Sequence, residues 1–395
     1  MTKPIVKRFV RTIIAAAALA GAAACVSIED NSRTYAVDAP AEASAAELLR
    51  PYYRELAART DLPTVPSVPV DHDMTLSRFV FGSCNQQNRP QDVWAPMLAE
   101  NPQLALLIGD NVYADTGWRG QADLGTFVAA YRDQAAHSEF RSFMSAQPVL
   151  ATWDDHDYGP NDGGGTFFGK EFTETLFENF WNSPDRVRAR PGVYDSVTIG
   201  ADGRRVQFIV LDTRFFRSDL VAFPYSEDRR PLGNWDTDAS PQADMLGDDQ
   251  WRWLERELAE PAELRVLVSS IQVLTEAHQY ESWSRMPGER NRLLAMLEAR
   301  TPSGLVMLSG DRHAAAFYRD NLPGGETLWE FTSSSLNLAF GGSDANEREP
   351  DPRRVGSIYP VENFGAVDID WAGRRLTMRL LDDAGAELDR QVVAF

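Results

Sequence analysis

The stretch from Leu104 to Asp115, which reads LALLIGDNVYAD, constrains the fold more than any other part of this chain. Its first half is a short apolar run without helical periodicity, and its length suits a strand that is buried on both faces. Gly109 ends this strand, and Asp110 and Tyr113 lie on the loop that follows. Ligands of open α/β sheets bind at the carboxyl ends of the strands. We therefore expect this loop to form the floor of a metal site, with oxygen ligands from Asp110 and Tyr113.

Apolar runs alternate with helix-like segments along much of the chain, which predicts an α/β architecture with a parallel or mixed sheet. The candidate strands are Arg78–Gly82, Leu104–Ile108, Pro148–Thr152, Arg205–Leu211, Arg265–Ser270 and Gly304–Leu308. The candidate helices are Asp123–Met144, Glu171–Asn182, Asp248–Ala259 and Glu289–Arg300. Near the end of the chain, AVDIDW and RLTMRLL each alternate with a period of two and flank Ala372-Gly373. This pattern predicts a β-hairpin.

Chemically active residues directly follow five of these candidate strands. Because the ends of aligned strands meet at one edge of a sheet, we expect a thiol, carboxylates, a phenol and imidazoles to share a single pocket. The candidates are Cys84, Asp110, Tyr113, Asp154, Asp155, His156, Asp212, Arg214, Asp311 and His313.

Two of these positions leave alternatives open. Asp154 and Asp155 are adjacent and point in different directions, so we favour Asp155 as a metal ligand and take Asp154 as a further ligand or an outer partner. Arg214 either clamps a phosphate with two parallel hydrogen bonds or forms an ion pair with Asp212.

The mixture of donor atoms limits the metal. Carboxylates and a phenolate suit hard ions such as Fe(III), Mn or Ca, whereas a thiolate and an imidazole favour iron or zinc. Hard and soft ligands together fit two ions that share a carboxylate such as Asp110. Such sites hold their ions ~3.5–4 Å apart, activate a water or hydroxide nucleophile and suit in-line displacement at phosphorus.

Taken in order, these motifs resemble the alkaline phosphatase D (PhoD-like) branch of the calcineurin-like metallophosphatases. The resemblance extends from Phe79 to about Asn337 and rests on FGSCNQ, IGDNVYAD, ATWDDHDYGPND, VLDTRFFRS, SGDRHAAAF and FTSSSLN. It implies an α/β fold in which a four-layer αββα sandwich with mixed sheets carries a metal centre at its strand ends. It also implies hydrolysis of a small phosphate monoester or diester by a metal-bound hydroxide, without a phosphoenzyme.

The same resemblance implies roles for individual residues. Fe(III) and Ca(II) are the expected ions, with zinc or manganese as alternatives. The iron-type ion would have four ligands, which are Cys84, Asp110, Tyr113 and His313. The second ion would have three, which are Asp110, Asp155 and Asp311. His156 would contact the phosphoryl oxygen or protonate the leaving group.

The N-terminus resembles a bacterial lipoprotein signal. Basic residues precede an apolar, alanine-rich run, and Cys25 directly follows three small residues. We expect residues 1–24 to be a signal peptide and Cys25 to carry the lipid, so that the exported chain is anchored to a membrane in the periplasm; plain cleavage and export is the alternative. Residues 25–76 are expected to form a tether with one short helix over Ala41–Ala58, kinked or split at Pro51. The catalytic domain is expected over residues 77–395.

The charge of the chain narrows the set of partners. A net charge of -19 repels polyanions and argues against nucleic-acid binding. We expect a monomer.

Two other functions stay open: a phospholipase-like phosphodiesterase that acts on membrane lipids, and a non-catalytic lipoprotein that binds metal for structure. The long segment Phe216–Asp244 is a candidate lid over the pocket.

Overall fold

Thirteen strands and nine α-helices make up the part of the chain that the structure, a computed structural model, describes, namely residues 44–224, 232–300, 304–322, 324–341 and 349–395. The strands are β1 (Arg78–Gly82), β2 (Leu104–Ile108), β3 (Val149–Thr152), β4 (Asp195–Ile199), β5 (Val206–Val210), β6 (Leu264–Val268), β7 (Leu305–Ser309), β8 (Ala315–Asn321), β9 (Thr327–Thr332), β10 (Arg354–Tyr359), β11 (Asn363–Asp370), β12 (Arg375–Asp382) and β13 (Glu387–Ala394). The α-helices are α1 (Ala45–Arg59), α2 (Trp94–Ala99), α3 (Gly125–Ala136), α4 (Ser138–Met144), α5 (Asp155–Tyr158), α6 (Lys170–Phe180), α7 (Asp185–Arg188), α8 (Gly247–Glu257) and α9 (Pro287–Arg300).

These strands form two mixed sheets. The first has the order β13-β12-β11-β1-β2-β3, in which β1, β2 and β3 are parallel and the other pairs are antiparallel. The second has the order β10-β8-β9-β7-β6-β5-β4, in which β5, β6, β7 and β9 are parallel. Each sheet thus has a parallel part whose strands end at the same edge.

The two sheets pack face to face and are covered by helices on their outer faces. Successive residues of a strand point to opposite faces, and Phe79 and Phe81 of β1 point to the second sheet. The Phe79 ring lies 5.3 Å from the ring of Phe208, and the Phe81 ring lies 4.7 Å from that of Phe331, both edge to face. Val80, between them, packs in the separate core that β1 and β2 form with α2, α3, α4 and α6. Helices α8 and α9 cover the second sheet in the same way. The expected four-layer αββα sandwich is confirmed.

The predicted elements agree with the structure to within about two residues at most ends, with one clear exception. The single helix expected over Asp123–Met144 is two helices, α3 and α4. They are separated at His137, whose backbone is extended, with φ -67° and ψ 120°. The hairpin predicted around Ala372-Gly373 is formed by β11 and β12.

The N-terminal helix is continuous, where a kink or a split was expected, and it packs on the core. Helix α1 continues through Pro51, which has no break around it, and Ser44 caps its first turn by accepting a hydrogen bond from the Glu47 N–H. Tyr53 and Leu56 are buried in the core with α6. Within the described residues, Ser44–Phe395 forms one compact unit.

The predicted signal peptide and Cys25 lie outside the described residues. Among the helices that the structure does describe, none combines the length and apolar character that a membrane crossing requires.

Candidate metal centre

The register of the strands brings the predicted ligands together. Gly82 of β1 pairs with Leu107 of β2, and Ile108 of β2 pairs with Thr152 of β3, so these three strands end side by side. The segments that directly follow them carry five of the predicted ligands, which are Cys84, Asp110, Tyr113, Asp154 and Asp155. The loop after β7, in the second sheet, reaches the same point and adds Asp311 and His313.

Four of these residues have a left-handed backbone. The φ angle is 60° at Cys84, 49° at Asp110, 63° at Asp311 and 51° at His313. This conformation is uncommon for residues other than glycine and costs roughly 1–3 kcal/mol, so it persists only where the surrounding structure enforces it, most often at functional sites. The Cys84 N–H donates to the carbonyl of Gly109 at 3.2 Å, which is one of the bonds that hold these turns.

The first group of donors combines a thiol, a phenol, an imidazole and a carboxylate. Ligand atoms of Cys84, Asp110 and His313 lie within 4.8 Å of one another. The Tyr113 hydroxyl is 3.3 Å from Asp110 Oδ2 and 3.2 Å from His313 Nε2, and the Cys84 Sγ is 3.6 Å from Asp110 Oδ2. The structure thus unites the four residues expected around the iron-type ion.

The loop after β9 fixes the orientation of His313. Nδ1 of the ring donates to the carbonyl of Leu338, and the backbone N–H of His313 donates to Ser334 Oγ at 2.7 Å. Because Nδ1 carries the proton, Nε2 presents its lone pair to the side of Tyr113 and Asp110, where the Tyr113 hydroxyl lies 3.2 Å away. A bonded second nitrogen of this kind is the usual arrangement of a histidine that binds a metal.

The second group consists of carboxylates. Oxygens of Asp110, Asp154, Asp155 and Asp311 lie within 4.8 Å of one another. Asp154 Oδ1 accepts hydrogen bonds from Ser270 at 2.7 Å and from Arg214 at 2.6 Å. Its other oxygen, Oδ2, is buried with no hydrogen-bond partner among the described residues, as expected for an atom that binds a cation.

Burial and mutual repulsion make three of these four carboxylates difficult to ionise without a cation, whereas the pKa of Asp155 is lowered because the charges of His156 and Arg214 outweigh its burial. Burial and the charge of Asp155 raise the pKa of Asp110 well above its usual range. Burial also raises the pKa of Asp154 to about 7, although the Arg214 guanidinium opposes the shift. The pKa of Asp311 is raised for the same reasons, with Asp154 as its strongest neighbour. Cations bound between these groups would remove the repulsion, so the donor set fits the expected metal ions.

His156 is held by a carboxylate that the sequence analysis did not single out. Its Nδ1 lies 2.7 Å from Asp115 Oδ1, and its ring packs against Tyr113 with centroids 4.3 Å apart. Burial alone would lower the pKa of His156, but Asp155, Asp110 and the bond to Asp115 raise it well above its usual range. Without a cation the imidazole is therefore held in its protonated form, and it borders both groups of ligands. Asp115 is the last residue of the LALLIGDNVYAD stretch, so its position in that motif was the available signal.

Arg214, the candidate phosphate clamp, is buried behind the ligands and paired with carboxylates. Its side chain is 0% exposed, and it pairs with Asp154 and, through Nη1, with Glu281 Oε2 at 2.6 Å. It is absent from the lining of the cavity over the site. Asp212, the alternative partner, accepts the backbone N–H of Arg214 at 2.8 Å rather than its guanidinium. Arg214 therefore neutralises buried carboxylates behind the ligands.

Two further acidic residues that were not predicted lie beside Asp155. Oxygens of Asp155, Asp162 and Glu281 are within 4.8 Å of one another. Asp162 belongs to the ATWDDHDYGPND motif, which could have revealed it, whereas nothing in the sequence around Glu281 marks that residue. Burial and the nearby Glu281 raise the pKa of Asp162 to about 8.

A cavity of about 610 Å³ opens over the ligands. Among the residues that line it are Tyr113, Asp155, His156, Asp311 and His313. Asn234, from the candidate lid segment, also lines the cavity. The N–H of the neighbouring Trp235 donates to the carbonyl of Gln279 at 2.8 Å, next to Tyr280, which also lines the cavity. A site with such an opening differs from a closed structural metal site, which leaves no position for a substrate.

Two facing mixed sheets with a hard and soft donor set at their strand ends define the metallophosphatase class of α/β protein. The family model described as PhoD-like phosphatase matches residues 180–380, and the chain belongs to this family. The resemblance identified from the sequence motifs is confirmed.

Individual relatives agree with this assignment. The chain is 24% identical over 318 residues to alkaline phosphatase D of Bacillus subtilis (strain 168), in a match that covers 68% of this chain and 52% of that protein. The chain thus spans about half the length of this curated relative. A solved structure described as "Structure of PhoD" matches with a TM-score of 0.63 at 18% identity, over 83% of this chain and 70% of that chain. This likeness shows the same fold.

Removal of metal ions is expected to make the stability of the protein fall as the pH rises. Without a cation, burial raises the pKa of Asp154 to about 7 and that of Asp162 to about 8. Each carboxyl binds its proton more tightly in the folded chain than in the unfolded chain, so it stabilises the fold at low pH. This contribution is lost as the pH rises through the raised pKa.

The measurement is the Tm at about pH 5.5 and about pH 8.5, with metals bound and after treatment with EDTA. We expect the Tm of the EDTA-treated protein to drop between the two pH values by several degrees more than that of the loaded protein. An equal pH dependence of the two forms would show that cations do not neutralise these carboxylates.

Proposed function

We propose that this chain is a metal-dependent hydrolase of phosphate esters. The observation that carries the proposal is the position of Asp110. Its carboxylate belongs both to the group with Cys84 and His313 and to the group with Asp154, Asp155 and Asp311. A carboxylate shared by two ligand groups under an open cavity is the arrangement of a two-metal hydrolytic site. Membership in the PhoD-like phosphatase family supports phosphate esters as the substrate class.

We also propose which ions the two groups bind. The thiol of Cys84, the phenol of Tyr113 and the imidazole of His313 favour iron, with zinc as the alternative. The all-carboxylate group of Asp110, Asp155 and Asp311 favours a hard ion such as calcium, with manganese as the alternative. When bound, such ions supply activation of a water molecule and neutralisation of charge on the phosphoryl oxygens.

The side chains of this protein supply the remaining chemistry. His156 borders the cavity, and the bond from its Nδ1 to Asp115 stabilises the protonated ring, so the other ring nitrogen, Nε2, can donate its proton to the leaving oxygen of the ester. Cys84 is buried, which raises the pKa of its thiol and makes it a poor nucleophile. Arg214 and Ser270 keep Asp154 in place. The arrangement supports direct attack of water on phosphorus, without a covalent intermediate on the protein.

The substitution Asp110→Asn is expected to lower kcat/KM for p-nitrophenyl phosphate or bis-p-nitrophenyl phosphate by more than about 100-fold, because it removes charge from the ligand that both groups share. Bound metal, measured by mass spectrometry on the purified protein, should fall in parallel. Asp202→Asn is the matched control, since the Asp202 side chain is 92% exposed and far from these ligands in the fold.

Activity assays on the wild-type protein distinguish the three candidate functions. Turnover of the nitrophenyl esters supports the proposed phosphoesterase, and the ratio of the two rates gives its preference for monoesters or diesters. Turnover confined to phospholipid vesicles would favour the phospholipase-like alternative. A metal-loaded protein that is inert towards all of these substrates would favour the non-catalytic binding protein.

The substitution Asp115→Asn is expected to lower kcat about 10- to 100-fold for glycerol phosphate and less for p-nitrophenyl phosphate. The alkoxide that leaves from glycerol phosphate needs a proton, whereas p-nitrophenolate does not. Loss of the proton donor therefore slows the hydrolysis of glycerol phosphate more. The variant also loses one of the charges that raise the pKa of His156, so the alkaline limb of its pH–rate profile should move to lower pH. Equal losses for both esters, with an unmoved pH profile, would contradict the role given to His156.

We further propose that the chain is exported and anchored in the periplasm by a lipid on Cys25. The support is the basic and apolar N-terminus followed by this cysteine. In a bacterial host, the full chain should fractionate with membranes and a Cys25→Ala variant should not, while Cys84→Ser serves as a control that keeps the lipidated residue. A wild-type chain in the soluble fraction would contradict the anchor.

We also propose that the protein is a monomer, and light scattering that gave twice the mass of the chain would contradict this.

A further inference from the structure

The segment from Ser334 to Phe340 surrounds one of the metal ligands on three sides. Ser334 accepts the backbone N–H of His313, Leu338 accepts Nδ1–H of its ring, and Phe340 packs on the face of the ring. The centroids of the Phe340 and His313 rings are 3.9 Å apart, and the two planes differ by only 8°. The backbone N–H of Phe340 donates to the carbonyl of His313 at 3.2 Å, which fixes the two residues relative to each other.

Phe340 is unusual because its second face is open. The residue is 50% exposed, although most of the large apolar residues in the described part of the chain are buried. It also lines the cavity over the metal ligands, together with Leu338 and Tyr280. Shielding the His313 imidazole needs only the inner face of the ring. The outer face is a rigid apolar surface that has no role in the contacts described above, and such a surface at a binding site is a candidate for ligand contact.

The rest of the cavity lining shows what this surface can bind. Asp155, Asp162, Glu281 and Asp311 give one side of the cavity a strongly acidic character. The phosphoryl group of a substrate belongs with the cations on that side. A cavity of about 610 Å³ has room for a sizeable organic group as well. That group extends away from the ligands, and Phe340 offers it an exposed apolar surface in the cavity lining.

We propose that Phe340 is a specificity-determining residue whose outer face stacks against a planar aromatic group of the phosphate ester. This inference rests on the proposed phosphoesterase function and adds the substrate class. A flat ring placed there would extend the parallel stack that His313 and Phe340 already form. Stacking suits a planar group better than a branched aliphatic group because the two flat surfaces exclude water over their whole area. Aryl and heteroaryl esters would therefore bind more tightly than esters of small polyols.

The test compares Phe340→Ala and Phe340→Leu with the wild-type protein on 1-naphthyl phosphate, phenyl phosphate and glycerol phosphate. We expect Phe340→Ala to raise KM about fivefold for the naphthyl ester and less for the phenyl ester. The KM for glycerol phosphate and the bound metal content should be unchanged. Phe340→Leu keeps an apolar cover on His313 and should show the same order of effects. Tyr52→Ala is the control for an exposed aromatic residue outside the cavity, since Tyr52 is 37% exposed.

Two outcomes would overturn the inference. A purely structural role of Phe340 would change KM equally for all three esters, and an unchanged KM for the naphthyl ester would exclude stacking. Binding of 1-naphthylphosphonate and methylphosphonate, measured by calorimetry on the metal-loaded proteins, repeats the comparison without turnover. If the wild-type protein hydrolyses none of the esters, the proposed function fails. The preference for 1-naphthylphosphonate over methylphosphonate still tests Phe340 in that case. If Phe340 binds aromatic groups, this preference is smaller in Phe340→Ala than in the wild-type protein.

Discussion

The repulsion among carboxylates in one buried volume is the constraint on which the rest of this structure depends. Asp110, Asp154, Asp155 and Asp311 bring oxygens within 4.8 Å of one another. Two unit charges ~4 Å apart repel by about 4 kcal/mol even at an effective dielectric constant of 20. Such a cluster needs compensation from cations, from bound protons or from a buried positive group. The protein itself provides only part of this through Arg214, so the cluster is built to be completed by metal ions.

The scaffold holds these groups in place by tertiary packing. The parallel register of β1, β2 and β3 fixes where their loops begin, and aromatic contacts between the sheets, such as that of Phe81 with Phe331, fix how the second sheet approaches the first. Left-handed turns at Cys84, Asp110, Asp311 and His313 then direct their side chains into the space between the sheet ends. The strain of these turns is tolerated because neighbouring contacts enforce them, such as the bonds from the Cys84 N–H to the Gly109 carbonyl and from the Phe340 N–H to the His313 carbonyl.

The two sides of the site have different chemical tasks. Acidic residues form the group that we propose binds cations, and His156 lies beside them with its Nδ1 bonded to Asp115. On the other side, the segment after β9 orients His313 through Leu338 and presents Phe340 to the cavity. A single loop thus connects the orientation of a metal ligand with the surface that meets the organic part of a substrate. Substitutions in this loop can therefore affect both metal binding and specificity, which is why the two must be measured separately.

The sequence by itself determined the α/β class, the main strands of both sheets and the residues at their ends, because apolar periodicity and strand-end motifs are local signals. It also placed Cys84, Asp110, Tyr113, Asp155, Asp311 and His313 in one site. It did not reveal the pairing of Arg214 with Glu281, the bond from Asp115 to His156 or the stack of Phe340 on His313. The continuous helix through Pro51 and the packing of Tyr53 were also missed. These features depend on contacts between residues far apart in the chain, or on packing that outweighs a local preference, and only the tertiary structure decides them.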